Sequence, residues 1–462
     1  MGKNHEGENL QRGLNNRHIQ LIALGGAIGV GLFYGSSATI QMAGPSILLS
    51  YLVGGLVIFT IMRALGEMAV DDPVSGSFSS YANRYLGPFA GYLTGWTYWF
   101  MWVVVGMAEI TVVGVYVNYW FPDIPQWLTA LATLLVITMI NLTSVKAFGE
   151  FEFWFAMIKV IAIIGMIVVG LGMILLGIGN QGQPIGFNNL WAHGGFMPNG
   201  LQGILMSLVL VMFSFGGVEL VGITAGEAKN PRKSIPAAIN NVVWRILIFY
   251  IAALGIIMSL YPWNEVGTNG SPFVLIFDKV GIPGAAHIIN FVVLTAALSA
   301  FNSGLFSTGR MLYNLSLQNN GPHYFGKLNK HSTPKRGILF SSSILLVAVF
   351  LNYIVPEKVF MYISSVATVA VITSWTIILI TQIKFRQSKT KEEIRKLAFK
   401  MPLYPVSSYL ALIFLAFVVV LMAFIEEMRV ALIVAPIWFL VLYVGYRLKK
   451  TDSPKNQKNK EK

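Results

Sequence analysis

Phe213-Ser214-Phe215-Gly216-Gly217-Val218-Glu219 stands in the middle of one apolar run of the chain, and Gly25-Gly26-Ala27-Ile28-Gly29-Val30-Gly31 in the middle of another. A segment that crosses a bilayer must satisfy its own backbone. A glycine-rich interruption at mid-span is therefore tolerated only where the freed N–H and C=O groups face protein, water or a ligand. Two such interruptions in corresponding positions of two halves point to a transporter's binding site. In the first, the glycines let the backbone leave helical geometry and let a ligand approach without a Cβ in the way. The half-helix that resumes there offers free N–H groups to an anion such as a carboxylate. Close helix packing also fits, since Gly25 and Gly29 have small-xxx-small spacing. At the second break, unwound carbonyls can accept hydrogen bonds from an ammonium group. Amides at one break and carbonyls at the other make a socket for a zwitterion, and an α-amino acid is the simplest one.

The rest of the chain agrees with a membrane setting. It is 55% hydrophobic and 11% charged over 462 residues, and its apolar runs repeatedly reach the length of a span. The runs predict about twelve spans: 18–40, 44–65, 89–119, 124–143, 153–177, 201–226, 240–261, 284–312, 337–355, 358–383, 405–425 and 430–447. A net charge of +13 would suggest nucleic acid for a soluble chain. Here nearly every Lys and Arg falls on one side of the predicted spans; the exceptions are Lys279, Lys358 and Arg429 on the other side and Lys159 within a span. The positive-inside rule then places both termini in the cytoplasm of a cell-membrane protein, and the basic balance reflects topology rather than nucleic-acid binding. The absence of cysteine removes disulfides, thiolate metal sites and cysteine nucleophiles, and no cofactor or metal is implied. Six scattered histidines offer no enzyme site.

Residues 1–17 read as a cytoplasmic tail, 18–447 as one membrane domain and 448–462 as a second tail. Breaks in spans 1 and 6 suggest inverted repeats over 18–177 and 201–383, with two further helices over 405–447. The connector Lys384–Lys400 reads as a solvated orientation signal, and Ile178–Gly200 as an exposed cap.

Several polar residues fall inside spans. Lys159 is buried at a cost, so it is expected to be paired or neutral part of the time, and such a group can carry a proton; snorkelling to the interface is the alternative. Glu109 in span 3 fits a second protonation site, a partner for Lys159, an attraction point for a substrate ammonium, or a protonated structural acid. Glu219 is expected to pin the broken helix by accepting its free N–H groups. Thr295, Ser299, Asn302 and Ser303 form a polar stripe on span 8, which helix–helix hydrogen bonding also explains.

These residues carry a family resemblance. The glycine motif of span 1, the run from Ala43-Gly44-Pro45 through Ala64-Leu65-Gly66-Glu67, Ser75-Gly76-Ser77-Phe78, Gly95-Trp96, and the stretch from Phe215-Gly216-Gly217-Val218-Glu219 to Asn230-Pro231-Arg232-Lys233-Ser234-Ile235-Pro236 resemble bacterial amino acid permeases of the amino acid–polyamine–organocation superfamily. The resemblance implies an all-α polytopic protein with a LeuT-type 5+5 inverted repeat and broken helices 1 and 6. It implies a substrate carboxylate held by the amides of Val30 and Gly31, and an α-amino group held by carbonyls of Ala27, Phe213 and Gly216. Phe213 or Phe215 would cover the substrate side chain. Gly25, Gly26, Gly29, Gly217 and Glu219 would shape the breaks, and Lys159 would stand where sodium-coupled relatives bind a cation. The resemblance is closest to permeases for small neutral amino acids. A proton-coupled symporter for alanine, serine, threonine, glycine or proline is thus expected, with an amino acid, a co-transported proton and the lipid bilayer as partners and no nucleic acid. Oligomeric state is not legible. An exchanger, a permease for a cationic or larger amino acid, and a transporter-like nutrient sensor are the alternatives.

Overall fold

Long apolar runs punctuated by Gly and Pro make helices and turns, and every regular element among the described residues is helical. The computed structural model describes residues 28–451 apart from 75, 76, 144, 224–230, 268, 269, 280–283 and 330–332. Gly25, Gly26 and Ala27 lie outside the described residues, as do the two tails but for 448–451. The first part of the chain forms α1 (Val30–Phe33), α2 (Gly35–Ala43), α3 (Ile47–Asp71), α4 (Ser77–Leu86), α5 (Pro88–Asn118), α6 (Gln126–Thr143) and α7 (Val145–Leu176). The middle forms α8 (Asn189–Ala192), α9 (Gly200–Ser214), α10 (Leu220–Ile223), α11 (Pro231–Arg245), α12 (Ala253–Leu260) and α13 (Pro272–Lys279). The remainder forms α14 (Ala285–Leu317), α15 (Lys335–Ile354), α16 (Val359–Gln387), α17 (Lys391–Lys396), α18 (Val406–Met422) and α19 (Arg429–Thr451). Among the described residues nine segments are long and apolar enough to cross a bilayer, and α9 and α18 are shorter apolar helices. The chain is a multi-pass all-α membrane protein.

Local sequence explains the joints. Pro88 starts α5 at a position where its missing N–H is cheap, after Gly87 at φ 103°. Gly44, at φ 58°, opens the short turn Gly44–Ser46 between α2 and α3, and a Cβ there would run into Pro198. A π-helical segment, Ile246–Ala252, joins α11 to α12. The centre of the bundle is built by α14 and α16 on α5, by α7 on α14 and by α9 on α2. Gly304 lies against the Trp102 ring and Gly106 against the Phe301 ring, which brings α5 and α14 close.

One expectation is corrected and one extended. The span expected at 153–177 matches an apolar crossing segment at Glu152–Leu176, which lies within a longer helix that starts at Val145, so Glu152 is two turns inside α7. Along α7, Glu152, Lys159, Met166 and Met173 are buried, whereas Trp154, Ile161, Val168 and Leu175 are exposed, so one face meets protein and the other meets lipid. The connector after α16 is not merely solvated. Arg386 is buried and pairs with Glu67 of α3, donating from Nε at 2.8 Å and approaching with Nη2 at 2.5 Å. Gln382 donates to the other Glu67 oxygen at 2.6 Å, and Phe399 packs beside Gly66.

Candidate functional site

The first break is read from both sides by charged groups. Gly29 is extended and precedes the helix that starts at Val30, and the N–H groups of Leu32 and Phe33 close back on the Gly29 carbonyl. The Val30 N–H donates to Glu109 Oε1 at 3.4 Å. From another side Lys159 Nζ donates to the Ile28 carbonyl at 3.3 Å. A carboxylate thus meets an amide and an ammonium meets a carbonyl within three residues of backbone. Both side chains are buried, and Lys159 is fully so, which excludes snorkelling.

The second break begins where α9 ends at Ser214. Gly216 N–H turns back to the Phe213 carbonyl at 3.0 Å, and Gly217 takes φ 97°. Glu219 Oε2 accepts from Gly217 N–H and from Trp375 Nε1, each at 3.2 Å. The Ser214 carbonyl, freed by the break, accepts from the Tyr250 hydroxyl at 2.9 Å, and Tyr250 is supplied by the π-helical segment. The breaks touch: a Cβ on Gly31 would lie 2.6 Å from Ser214 Cα.

The two phenylalanines offered for the substrate side chain part ways. Phe213 lies edge-on to Phe360 at 6.0 Å, and Phe360 lies edge-on to Tyr34 at 4.8 Å. Phe215 instead packs between Tyr51 at 5.7 Å and Tyr250 at 5.0 Å. A cavity of about 870 Å³, walled by Thr111, Asn118, Gln126 and Asn352 among others, ends on Tyr34 and Phe360. Phe213 does not line that cavity and reaches the pair through Phe360.

The α14 stripe is buried throughout and does two kinds of work. Thr295 bonds back to the Val292 carbonyl at 2.8 Å, and Asn302 Oδ1 accepts from Asn141 of α6 at 2.8 Å. Ser299 accepts from Lys159 Nζ at 3.1 Å and donates to Glu152 Oε1 at 2.8 Å.

A transporter-like core with paired helix breaks agrees with the comparisons to known proteins. The amino acid permease family model matches residues 18–459. The chain belongs to the amino acid permease family. It is 59% identical over 439 residues to the uncharacterized amino acid permease YtnA of Bacillus subtilis, covering 95% of each chain. It is 50% identical over 441 residues to the amino-acid permease AapA of the same organism, covering 96% of this chain and 95% of that one. It is 50% identical over 437 residues to the probable threonine/serine transporter YbxG, also of Bacillus subtilis, covering 95% and 94%.

Membership points to transport rather than an enzyme reaction. Three residues in or beside this permease's site escaped the sequence reading: Tyr250 and Trp375, which satisfy the second break, and Glu152, which reaches Lys159 through Ser299. The first two come from distant segments and carry no local signal. Glu152 did have one, because it lies seven residues before Lys159 and so on the same helix face.

Proposed function

We propose that this permease is a proton-coupled symporter that takes small neutral amino acids into the cell across the cell membrane, with both termini cytoplasmic. Its two breaks would belong to a LeuT-type pair of inverted repeats, 18–177 and 201–383, within about twelve spans, and alternating access would proceed by rocking around them. The observation that carries the reading is the bracketing of residues 28–30 by Lys159 and Glu109, on Ile28 carbonyl and Val30 N–H respectively.

A substrate carboxylate would take the amides of Val30 and Gly31, and its ammonium the carbonyls around Ala27, Phe213 and Gly216. Glu109 Oε1 already accepts from Val30, so the arriving carboxylate competes with a carboxyl of the protein. Protonation of Glu109 weakens that bond by removing its charge, which links proton uptake to opening of the anion site. The aromatic Phe213–Phe360–Tyr34 cluster supports a short apolar or weakly polar side chain. A relative described as a probable threonine/serine transporter supports the same class.

The test is proton flux with a pH-sensitive dye in proteoliposomes on addition of each of the twenty amino acids, for wild type and Lys159→Ala. Inward proton movement with a small neutral amino acid, lost in Lys159→Ala while labelled substrate still exchanges, is the expected result. Exchange without any proton movement in the wild type makes the protein an exchanger and removes Lys159 from coupling.

A further inference from the structure

Glu152 has no part in the proposal above, yet it is fully buried and tied to Lys159 through one hydroxyl. Lys159 Nζ donates to Ser299 Oγ at 3.1 Å, and Ser299 donates onward to Glu152 Oε1 at 2.8 Å. The donors and acceptors are therefore aligned in one direction, from the ammonium to the carboxylate.

The surroundings of Glu152 are polar. Lys159, on its own helix, is the charged group set against it among the described residues; α14 brings Ser299, Asn302 and Ser303. Asn141 of α6 reaches the same place through its bond to Asn302. Glu109 of α5 faces Lys159 from beyond the first break. Asn302 and Ser303 stand near enough to Glu152 to hydrogen-bond its carboxylate, and these side chains and Asn141 are all buried. An ionised carboxylate only accepts, whereas a protonated one also donates. The Ser303 hydroxyl, which can accept as well as donate, is a partner that a protonated Glu152 can use.

We propose that Glu152 is a proton-binding site, and that it receives the coupled proton from Lys159 through Ser299 on the way to the cytoplasm. In the step, an N–H bond of the Lys159 ammonium breaks as an O–H bond forms on Ser299. The original Ser299 O–H breaks as an O–H forms on Glu152 Oε1. The pair passes from ammonium plus carboxylate to amine plus carboxylic acid, with no net change of charge. Separated charges in a low-dielectric interior are costly, so the neutral pair is accessible there. Glu152 lies seven residues nearer the start of α7 than Lys159, about 10 Å along the axis at the helical rise. With the termini cytoplasmic, that direction is inward.

This inference rests on proton-coupled transport, and the experiment separates the two. Protons moved per labelled serine are measured in proteoliposomes for wild type, Glu152→Gln, Ser299→Ala and Ser299→Thr; a ratio is unaffected by the fraction of protein that reconstitutes. Glu152→Gln and Ser299→Ala are expected to lose most of the protons moved per serine, and Ser299→Thr to restore them. An unchanged ratio in Glu152→Gln overturns the relay while leaving symport intact. If Glu152→Gln yields no active protein, the Ser299 pair decides: equal ratios for Ala and Thr overturn the relay. A wild type that moves no protons with any amino acid overturns symport and the relay together.

Discussion

Gly29 and Gly31 are two residues apart, yet their missing side chains do different things. A Cβ on Gly31 would meet backbone, 2.6 Å from Ser214 Cα, and backbone cannot step aside. Gly31→Ala is expected to cost about 1–3 kcal/mol, the usual price of overpacking, and to abolish uptake by parting the two breaks. A Cβ on Gly29 would lie 2.7 Å from Glu109 Oε1, the end of a flexible side chain. Gly29→Ala should fold, displace Glu109 from Val30 and uncouple protons from substrate. Melting curves with proton-to-substrate ratios separate the two, and equal melting losses would refute the distinction. Tyr250→Phe removes the donor to the Ser214 carbonyl and should destabilise the protein by about 1–3 kcal/mol, the penalty of an unsatisfied buried acceptor.

Among elements, the join between α3, α16 and the segment leading to α18 depends on one buried carboxylate. Glu67 holds Arg386 and Gln382 of α16 and accepts from Met401 N–H at 3.4 Å. Removing one partner of such a pair leaves an uncompensated charge. Glu67→Ala is therefore expected to cost about 3–5 kcal/mol, and adding Arg386→Met should recover part of it. Additive losses in chemical denaturation would mean that the pair contributes nothing. The α7 helix shows the complementary case, where a strict seven-residue spacing turns two ionisable groups to one buried face. The expected span at 153–177 stopped one residue short of the first of them, since the helix runs on to Val145 and helix ends are the least legible part of a sequence.

For the whole molecule, a protein that binds its substrate in the folded state must gain stability from it. A small neutral amino acid at about a hundred times its Kd adds about 2.7 kcal/mol, so its addition should raise the melting temperature in detergent while arginine and glutamate do not. A rise with arginine alone would transfer the specificity to cationic substrates.

What the sequence by itself determined is what depends on local chemistry: helical segments of membrane length, glycine-rich interruptions, the family, and the unusual burial of Lys159 and Glu109. Periodicity and hydropathy report these because backbone satisfaction in lipid is a local constraint. What only the tertiary structure decided is which distant side chains meet each freed backbone group. Tyr250, Trp375, Glu109 and Lys159 reach the breaks from four different helices, and Ser299 joins Lys159 to Glu152 across the α7–α14 interface. Such pairings are set by packing between segments far apart in the chain, and one sequence carries no period or spacing that encodes them.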